Sequence, residues 1–153
     1  MEIVPAVDPA AIAQVRALLE EYWADFGFTP CFQNFGEEVA HLPGEYSPPD
    51  GRLALALVGG QPTGCGALRR LDASRAEAKR LYVRPRFRGL GIGRGLLDWI
   101  IAEARHAGYR EILGDTMPVM REAIAMYQRR GFERTAPYNA DPTPGAIYLR
   151  LRL

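Results

Sequence analysis

The sequence predicts an α/β fold in which helices cover the faces of a mixed β-sheet. Several segments repeat apolar residues at helical spacing, and the short apolar or alternating runs between them are typical of strands. The chain shows no internal repeat and no linker. We therefore expect one domain spanning residues 1–153, a length that buries roughly 70% of the unfolded surface.

The predicted elements follow the order β-α-α-β-β-β-α-β-α-β-β. The first helix begins after Asp8 as an N-cap, with Pro9 in its first turn. The pair Gly59-Gly60 predicts a tight hairpin turn. The predicted helices are 9–26, a short helix near 35–41, 91–107 and 118–130. The predicted strands are 2–4, 52–58, 62–71, 76–83, 110–115, 132–136 and 146–153.

Composition and charge argue against several classes of protein. The hydrophobic fraction of 48% and the charged fraction of 24% are ordinary for a globular domain. A net charge of +1 gives no overall signal for nucleic acid, and no apolar run approaches the roughly 18 residues of a membrane span. Because segment 1–5 lacks the features of a signal peptide, we expect a cytoplasmic protein. The cysteines Cys31 and Cys65 and the histidines His41 and His106 match no metal-ligand spacing, so no metal site is predicted.

The most informative stretch is Arg88-Gly89-Leu90-Gly91-Ile92-Gly93, which joins a predicted strand to a predicted helix. Glycines at such a turn let backbone N–H groups approach a ligand, and the helix N-terminus adds partial positive charge. Arg86, Arg88 and Arg94 add full charges, so the segment predicts a pyrophosphate cradle. Its spacing differs from the Gly-x-Gly-x-x-Gly dinucleotide fingerprint, and the Gly-Lys-Ser/Thr end of a P-loop is missing. Glycines that serve only a tight turn stay the simpler alternative.

Two segments resemble the motifs of one protein family. Residues 77–93 resemble motif A of the GCN5-related N-acetyltransferases, the GNAT superfamily, through the core Arg88-x-x-Gly91-x-Gly93. Residues 123–132 resemble motif B of that family, and the element order resembles the family fold over essentially the whole chain. The resemblance implies a GNAT-like acyl-CoA N-acyltransferase fold and an acetyl-CoA-dependent N-acetyltransferase that uses acetyl-CoA as co-substrate and no metal.

The resemblance also implies where the cofactor binds. Acetyl-CoA is expected in a splayed V between the strand ending at Val83 and the strand ending at Asp115. The pantetheine arm is expected to pair like an extra strand along Leu81, Tyr82 and Val83. Many relatives have an asparagine where this chain has Met120, so that contact is expected from Met120, from Thr116 or from a backbone group. The backbone amides expected to bind the pyrophosphate are those of Arg88, Gly89, Gly91, Ile92, Gly93 and Arg94.

Three groups are expected to take part in catalysis. Tyr127 stands where the family commonly has a tyrosine that protonates the departing thiolate, although its helical stripe also fits a core residue. The N–H of Leu81 is the candidate that stabilises the oxyanion. Glu77 lies eleven residues before Arg88, at the position of a catalytic glutamate in the histone acetyltransferases of this family. A solvated charge, a water chain acting as the base, or capture of the free amine are the alternatives to Glu77 as base.

The acceptor site is expected among the first two helices, their connection and the strands opposite the cofactor. The candidates are Tyr22, Gln33, Asn34 and Tyr138, although such aromatic residues often serve only the core.

The prediction is transfer of acetyl to a primary amine by direct attack in a ternary complex, with a small molecule or amino acid as acceptor. The alternatives are a non-catalytic acyl-CoA-binding regulatory module, a protein lysine or N-terminal acetyltransferase, and a nucleic-acid-binding domain. A homodimer is possible through the last strand, 147–153.

Overall fold

The structure, a computed structural model, describes residues 1–26, 34–140 and 142–153. Within these ranges the chain forms one sheet with helices on both faces. The strands are β1 (Glu2–Pro5), β2 (Arg52–Val58), β3 (Gln61–Arg70), β4 (Arg75–Val83), β5 (Glu111–Thr116), β6 (Glu133–Arg134) and β7 (Ile147–Arg152). The α-helices are α1 (Pro9–Phe26), α2 (Phe35–Ala40), α3 (Ile92–His106) and α4 (Arg121–Arg129).

The strands lie in the order β1-β2-β3-β4-β5-β7-β6. The first four form an antiparallel meander, β4 and β5 are parallel, and β5, β7 and β6 are antiparallel. A parallel pair needs a crossover connection, which α3 supplies between β4 and β5. The mixed sheet and the predicted element order are thereby confirmed.

Two predicted boundaries are wrong by a few residues. The last helix begins at Arg121 and not at Pro118, because the N–H of Met120 donates to the carbonyl of Met117 and closes a separate turn first. The strand predicted at 132–136 is reduced to two residues. Phe132 instead donates its N–H to Tyr127 and packs its ring into the core, so the chain joins β7 later.

The core is divided by the sheet into layers. On one face α1 and α2 pack on β2 and β3, and on the other α3 and α4 pack on β3, β4, β5 and β7. The first layer is built from Val15, Leu18, Leu19, Phe35, Val39, Leu55, Cys65, Ala67 and Tyr82. The second is built from Leu97, Ile100, Ala104, Ala76, Ala78, Ile112, Tyr127, Phe132 and Leu149. No helix within the described ranges is long and apolar enough to cross a bilayer.

The parallel strands β4 and β5 separate after a short paired stretch. They pair at Arg75, Ala76 and Glu77 of β4, and Glu77 stands opposite Leu113 of β5. Beyond this position β5 continues along β7, while β4 continues along β3. The two strands therefore form a V that opens toward their carboxyl ends.

A β-bulge lies on β4 next to the opening of the V. Arg80 and Leu81 stand together opposite Gly66 of β3, and Arg80 has a positive φ of 60°. A bulge bends a strand and changes the direction of its groups. Gly66 permits the close packing here, because a Cβ at this position would lie 2.8 Å from the Cδ1 of Ile100 on α3.

Candidate active site

The glycine-rich turn between β4 and α3 exposes backbone donors. Gly89 and Gly91 have φ values of 80° and 81°, a left-handed conformation that favours glycine. Gly91 precedes α3, and none of the side chains that the structure describes caps that helix. Among the described residues, the N–H groups of 89–94 donate to no acceptor. The N–H of Arg88 differs, because it donates to the carbonyl of Pro85 over 3.2 Å. Free donors at a helix N-terminus suit an anionic ligand.

Arginine side chains surround this turn. A Cβ on Gly91 would lie 3.3 Å from an Nη of Arg94, so the Arg94 guanidinium folds back over the turn. Arg88 donates its Nε to the carbonyl of Val83 over 3.0 Å. Ile92 is buried and fixes the start of α3 against the sheet, while the exposed Leu90 marks the outer side of the turn. The cradle therefore combines directed N–H groups with a guanidinium charge.

The backbone of β4 presents an open edge to the V. Arg84 donates to Thr63 of β3 over 2.9 Å, which makes these two residues a hydrogen-bonded pair. Such pairs alternate in an antiparallel ladder with pairs whose backbone groups point outward. Val83 therefore turns its N–H and C=O groups away from β3 and into the V, and Leu81, next to the bulge, lies two residues before it on β4. Tyr82 faces β3 with its backbone, and its ring stacks on Tyr22 at 5.1 Å between centroids.

Tyr127 projects from α4 toward the same gap. Its ring is buried edge-on against Phe132, with centroids 5.1 Å apart. Burial raises the pKa of its hydroxyl, and electrostatic interactions with Tyr22, Asp115 and Glu77 raise it further. Glu77 and Asp115 lie on β4 and β5, so Tyr127 is within electrostatic range of both strands that form the V. A phenol that keeps its proton in this position can act as an acid.

Met120 stands between β5 and α4. Its sulfur accepts a hydrogen bond from the hydroxyl of Thr116 over 3.2 Å, and Thr116 is the buried last residue of β5. The two residues named as alternatives for the pantetheine contact are therefore in contact with each other.

Glu77 is 2% exposed, and both of its carboxylate oxygens accept hydrogen bonds. Oε1 accepts from Arg69 Nε over 2.6 Å and lies 3.9 Å from Lys79 Nζ. Oε2 accepts from the hydroxyl of Tyr138, whose pKa is raised by burial and by the Glu77 charge. This network satisfies a carboxylate that would otherwise be costly to bury. The role of Glu77 as base stays a prediction.

Asp115 is a further candidate for a functional residue. From the sequence it is expected only as the last residue of a strand that borders the V. It lies on β5 two residues beyond Leu113, the last position that pairs with β4. Burial raises the pKa of its carboxyl, and the charge of Glu77 raises it further, while Lys79 and Arg80 lower it. A motif-based search could not find Asp115, but its position at the opening of the predicted V could have drawn attention to it.

An open cleft of about 540 Å³ lies on the α2 side of this network. Its lining is rich in charged groups of both signs. The lining residues are Asn34, Glu37, Glu38, His41, Pro43, Gly44, Glu45, Tyr46, Arg69, Lys79 and Arg80. Arg80 and Glu38 form a bidentate ion pair with N–O distances of 2.7 and 3.1 Å, and the Arg80 guanidinium lies over the ring of Phe35. No motif in the sequence indicates this pair, because its two residues are 42 positions apart.

The four residues predicted to bind the acceptor do not lie together in one place. Asn34 lines the cleft, and Tyr138 contacts Glu77 and meets Tyr148 edge-on at 5.4 Å. Tyr22 is buried in the core layer of α1. Gln33 lies outside the described residues.

The buried Cys65 shows no sign of a nucleophile. Burial raises the pKa of its thiol to about 12, so the reactive thiolate is disfavoured. Across the described ranges, no group of three or more His, Cys, Asp or Glu side chains could hold a metal ion.

The profile of the Acetyltransferase (GNAT) family matches residues 14–132. An uncharacterized N-acetyltransferase of Schizosaccharomyces pombe is 35% identical over 147 residues, which cover 95% of this chain and 90% of the relative. An IAA acetyltransferase of Azospirillum brasilense is 36% identical over 141 residues, covering 91% of this chain and 88% of the relative. The turn, the V and these similarities define an acetyltransferase. The chain belongs to the GNAT family.

The fold is also shared with a solved structure that contains coenzyme A. An aminoglycoside 6'-N-acetyltransferase complexed with coenzyme A superimposes with a TM-score of 0.72 at 17% identity, over 99% of this chain and 97% of that one. The similarity shows that the same fold accommodates the cofactor in that protein.

Proposed function

We propose that this protein transfers the acetyl group of acetyl-CoA to a primary amine, with a small molecule or amino acid as acceptor. Family membership supports acetyl transfer, and the finer assignment rests on the site. The observation that carries it is the combination of free N–H groups at 89–94 with the edge of β4 that faces the V at Val83, two residues after Leu81. Together they offer an anion cradle and an adjacent edge that an extended amide-bearing chain can pair with.

The residues of the turn and of β4 fit acetyl-CoA. The N–H groups of 89, 91, 92, 93 and 94, with the Arg94 guanidinium, bind the pyrophosphate oxygens. Leu81 and Val83 pair with the pantetheine amides, and the thioester then lies near the opening of the V. The N–H of Leu81 is thereby directed at the thioester oxygen and stabilises the charge that develops there. Arg88 takes part through its side chain rather than its N–H, which Pro85 already engages.

Tyr127 supplies the proton that the departing CoA thiolate needs. Its hydroxyl forms no hydrogen bond with another described residue, and its raised pKa keeps it protonated at neutral pH. The amine attacks the thioester directly, so no protein nucleophile is required. This agrees with the protonated, buried thiol of Cys65.

The cleft beside Asn34 and Lys79 supports a small acceptor. Its volume of about 540 Å³ lies in the range of small-molecule sites. Its wall carries three carboxylates, Glu37, Glu38 and Glu45, and three cations, Arg69, Lys79 and Arg80, two of which pair with Glu38 and Glu45. Glu37 forms no ion pair with another described residue, so it offers a carboxylate to the amine. The IAA acetyltransferase among the relatives also carries a small-molecule name.

A thiol-release assay with acetyl-CoA tests this proposal against alkyl amines, amino acids, polyamines, aminoglycosides and lysine peptides. We expect transfer to at least one small amine and weaker transfer to peptides. Acetyl-CoA binding by calorimetry without transfer to any amine would favour the non-catalytic binding module. Absence of both binding and transfer would refute the function.

We also propose that β7 contributes to a homodimer. Among the described residues, β6 and Thr135 pair with β7 at Tyr148, Leu149 and Arg150, so the two ends of its edge, at Ile147 and at Leu151–Arg152, are left for a second copy. A mass of twice 17.0 kDa in light scattering is the expected result, and a monomer at micromolar concentration would contradict it.

A further inference from the structure

Two acidic side chains lie on the same face of the sheet where β4 and β5 separate. Glu77 stands opposite Leu113, and Asp115 follows Leu113 by two residues on the same strand. Residues two apart on a strand project to one face, so Asp115 shares the face of Glu77. Tyr148, directly opposite Asp115 on β7, meets the ring of Tyr138, which itself donates to Glu77.

Asp115 is nearer to the open part of the V than Glu77 is. Two residues of a strand span about 6–7 Å, so Asp115 stands that far ahead of Glu77 along the strand direction. Lys79 lies two residues beyond Glu77 on β4, and it faces Asp115 across the start of the gap between the strands. Leu81 follows Lys79 by two residues on β4. Glu77 lies behind them, where the two strands are still paired.

The two carboxylates also differ in their hydrogen bonds. Arg69 and Tyr138 each donate to one oxygen of Glu77, so both oxygens are already engaged within the protein. Asp115 accepts no hydrogen bond from any side chain in the part of the chain described. Its own backbone N–H donates to the carboxylate, and the remaining lone pairs face no described side-chain donor.

We propose that Asp115, and not Glu77, accepts the proton that the acceptor ammonium loses, and that Glu77 is a positioning residue. This rests on the proposed acetyl transfer. The N–H bond of the ammonium breaks, an O–H bond forms on the Asp115 carboxylate, and the freed nitrogen lone pair attacks the thioester carbon. Collapse of the intermediate breaks the carbon–sulfur bond, and Tyr127 donates its proton to the sulfur. The second proton that the nitrogen loses as the amide forms restores the Tyr127 hydroxyl, and Asp115 releases the first proton to solvent, so the net release is one proton.

The electrostatic surroundings of Asp115 suit a base. Burial and the neighbouring charge of Glu77 raise its pKa, which increases its affinity for a proton. Lys79 and Arg80 of β4 oppose this effect from one side. The other titratable groups that face it are the phenols of Tyr127 on α4, Tyr138 in the loop before β7 and Tyr148 on β7.

The test compares Asp115→Asn with Glu77→Gln on two acceptors. One is the panel amine with the highest kcat/KM, and the other is hydroxylamine, which is largely unprotonated at neutral pH. We expect Asp115→Asn to lower kcat/KM for the amine about 100-fold or more at pH 7, the lower end of general-base contributions. With hydroxylamine the loss should stay within about threefold, since no proton needs removal before attack. The deficit with the amine should shrink as the pH rises and the free amine becomes abundant.

In a plot of kcat/KM against pH, Glu77→Gln should shift the acid limb, the fall in rate at low pH, without removing it. The Glu77 charge raises the pKa of Asp115, so its loss moves that limb to lower pH. The conservative variant Asp115→Glu should recover part of the activity on the amine. Asp115→Ser replaces Asp115→Asn if the latter does not fold, as judged by Tm and by acetyl-CoA affinity.

Several results would overturn the assignment. Equal losses on both acceptors would assign Asp115 a structural role, and unchanged activity of a folded Asp115→Asn would remove it from the reaction. Loss of the acid limb in Glu77→Gln, with its retention in Asp115→Asn, would return the role to Glu77. A wild-type protein that acetylates neither acceptor refutes the proposed function itself, which is a different outcome.

Discussion

Replacement of Tyr127 by phenylalanine separates the catalytic role of its hydroxyl from the packing role of its ring. The ring meets Phe132 at 5.1 Å and is only 7% exposed, and phenylalanine keeps these contacts. The hydroxyl forms no hydrogen bond with another described residue, so its removal breaks none of the described contacts and leaves none of these groups unpaired. We therefore expect Tyr127→Phe to change the free energy of unfolding by less than about 1 kcal/mol.

The effect on turnover should be much larger. Proton transfer by a positioned acid contributes about 10²-fold to 10⁴-fold, so kcat should fall at least about 100-fold, equivalent to about 2.7 kcal/mol of transition-state stabilisation. Acetyl-CoA affinity should stay within about twofold, because the hydroxyl acts only when the thiolate leaves. Thiol-release kinetics and calorimetry measure the two quantities.

A matched control uses a tyrosine in the same core layer. Tyr109 is also 7% exposed, and its hydroxyl donates to the carbonyl of Asp50 far from the V. Tyr109→Phe should lose stability without losing turnover. Unchanged kcat in Tyr127→Phe, or equal losses of kcat in the two variants, would refute the reasoning.

Three further predictions concern packing, cofactor affinity and pH. Gly66→Ala should cost about 1–3 kcal/mol, because its Cβ would lie 2.8 Å from a side chain of α3, whereas Gly114→Ala, with its nearest atom at 3.6 Å, is the control. Equal Tm values for the two variants would contradict the tight fit. Arg94→Ala should weaken acetyl-CoA binding about tenfold by loss of a charge-assisted contact, and an unchanged Kd by calorimetry would remove Arg94 from the cradle. Burial raises the pKa of Glu38, but the hydrogen bond and charge of Arg80 outweigh it and lower the pKa below 4.5. The pair therefore stabilises the fold above pH 4.5 and loses this effect as the pH falls through the lowered pKa. Glu38→Gln should cost roughly 2 kcal/mol at pH 7, less than a fully buried pair because the Glu38 side chain is 24% exposed. Urea unfolding measures this cost, and a difference from wild type that does not shrink in acid would contradict the linkage.

The local features of the fold could be predicted from the sequence because each depends on neighbouring residues. Pro9 after Asp8 starts α1, and Gly59 and Gly60 form the hairpin turn with φ values of 56° and 77°. The apolar stripe of α3 predicts both its length and its buried face. The start of α4 is the exception, since Pro118 fits a helix start and only the turn closed by Met120 shows otherwise.

The acidic part of the candidate site depends on contacts between distant segments, which explains why the sequence indicated it incompletely. Glu77 could be named from its spacing to the glycine turn, yet its partners Arg69 and Tyr138 come from another strand and from a loop 61 residues away. Asp115 belongs to no motif. Its significance comes from the register of β4 against β5, which determines which side chain stands at the opening of the V.

Arg80 connects the cleft beside α2, which is the proposed acceptor site, to the part of β4 that is proposed to contact the cofactor. A left-handed backbone costs an ordinary residue roughly 1–2 kcal/mol, so something must hold Arg80 at a φ of 60°. The bidentate pair with Glu38 and the contact with Phe35 fix its side chain against α2, and Gly66 leaves room for the bulge. The bulge in turn sets the direction of the Leu81 N–H. The helix that carries the cleft wall therefore also holds the strand that is proposed to stabilise the oxyanion. For this reason substitutions in α2 should affect kcat as well as acceptor KM.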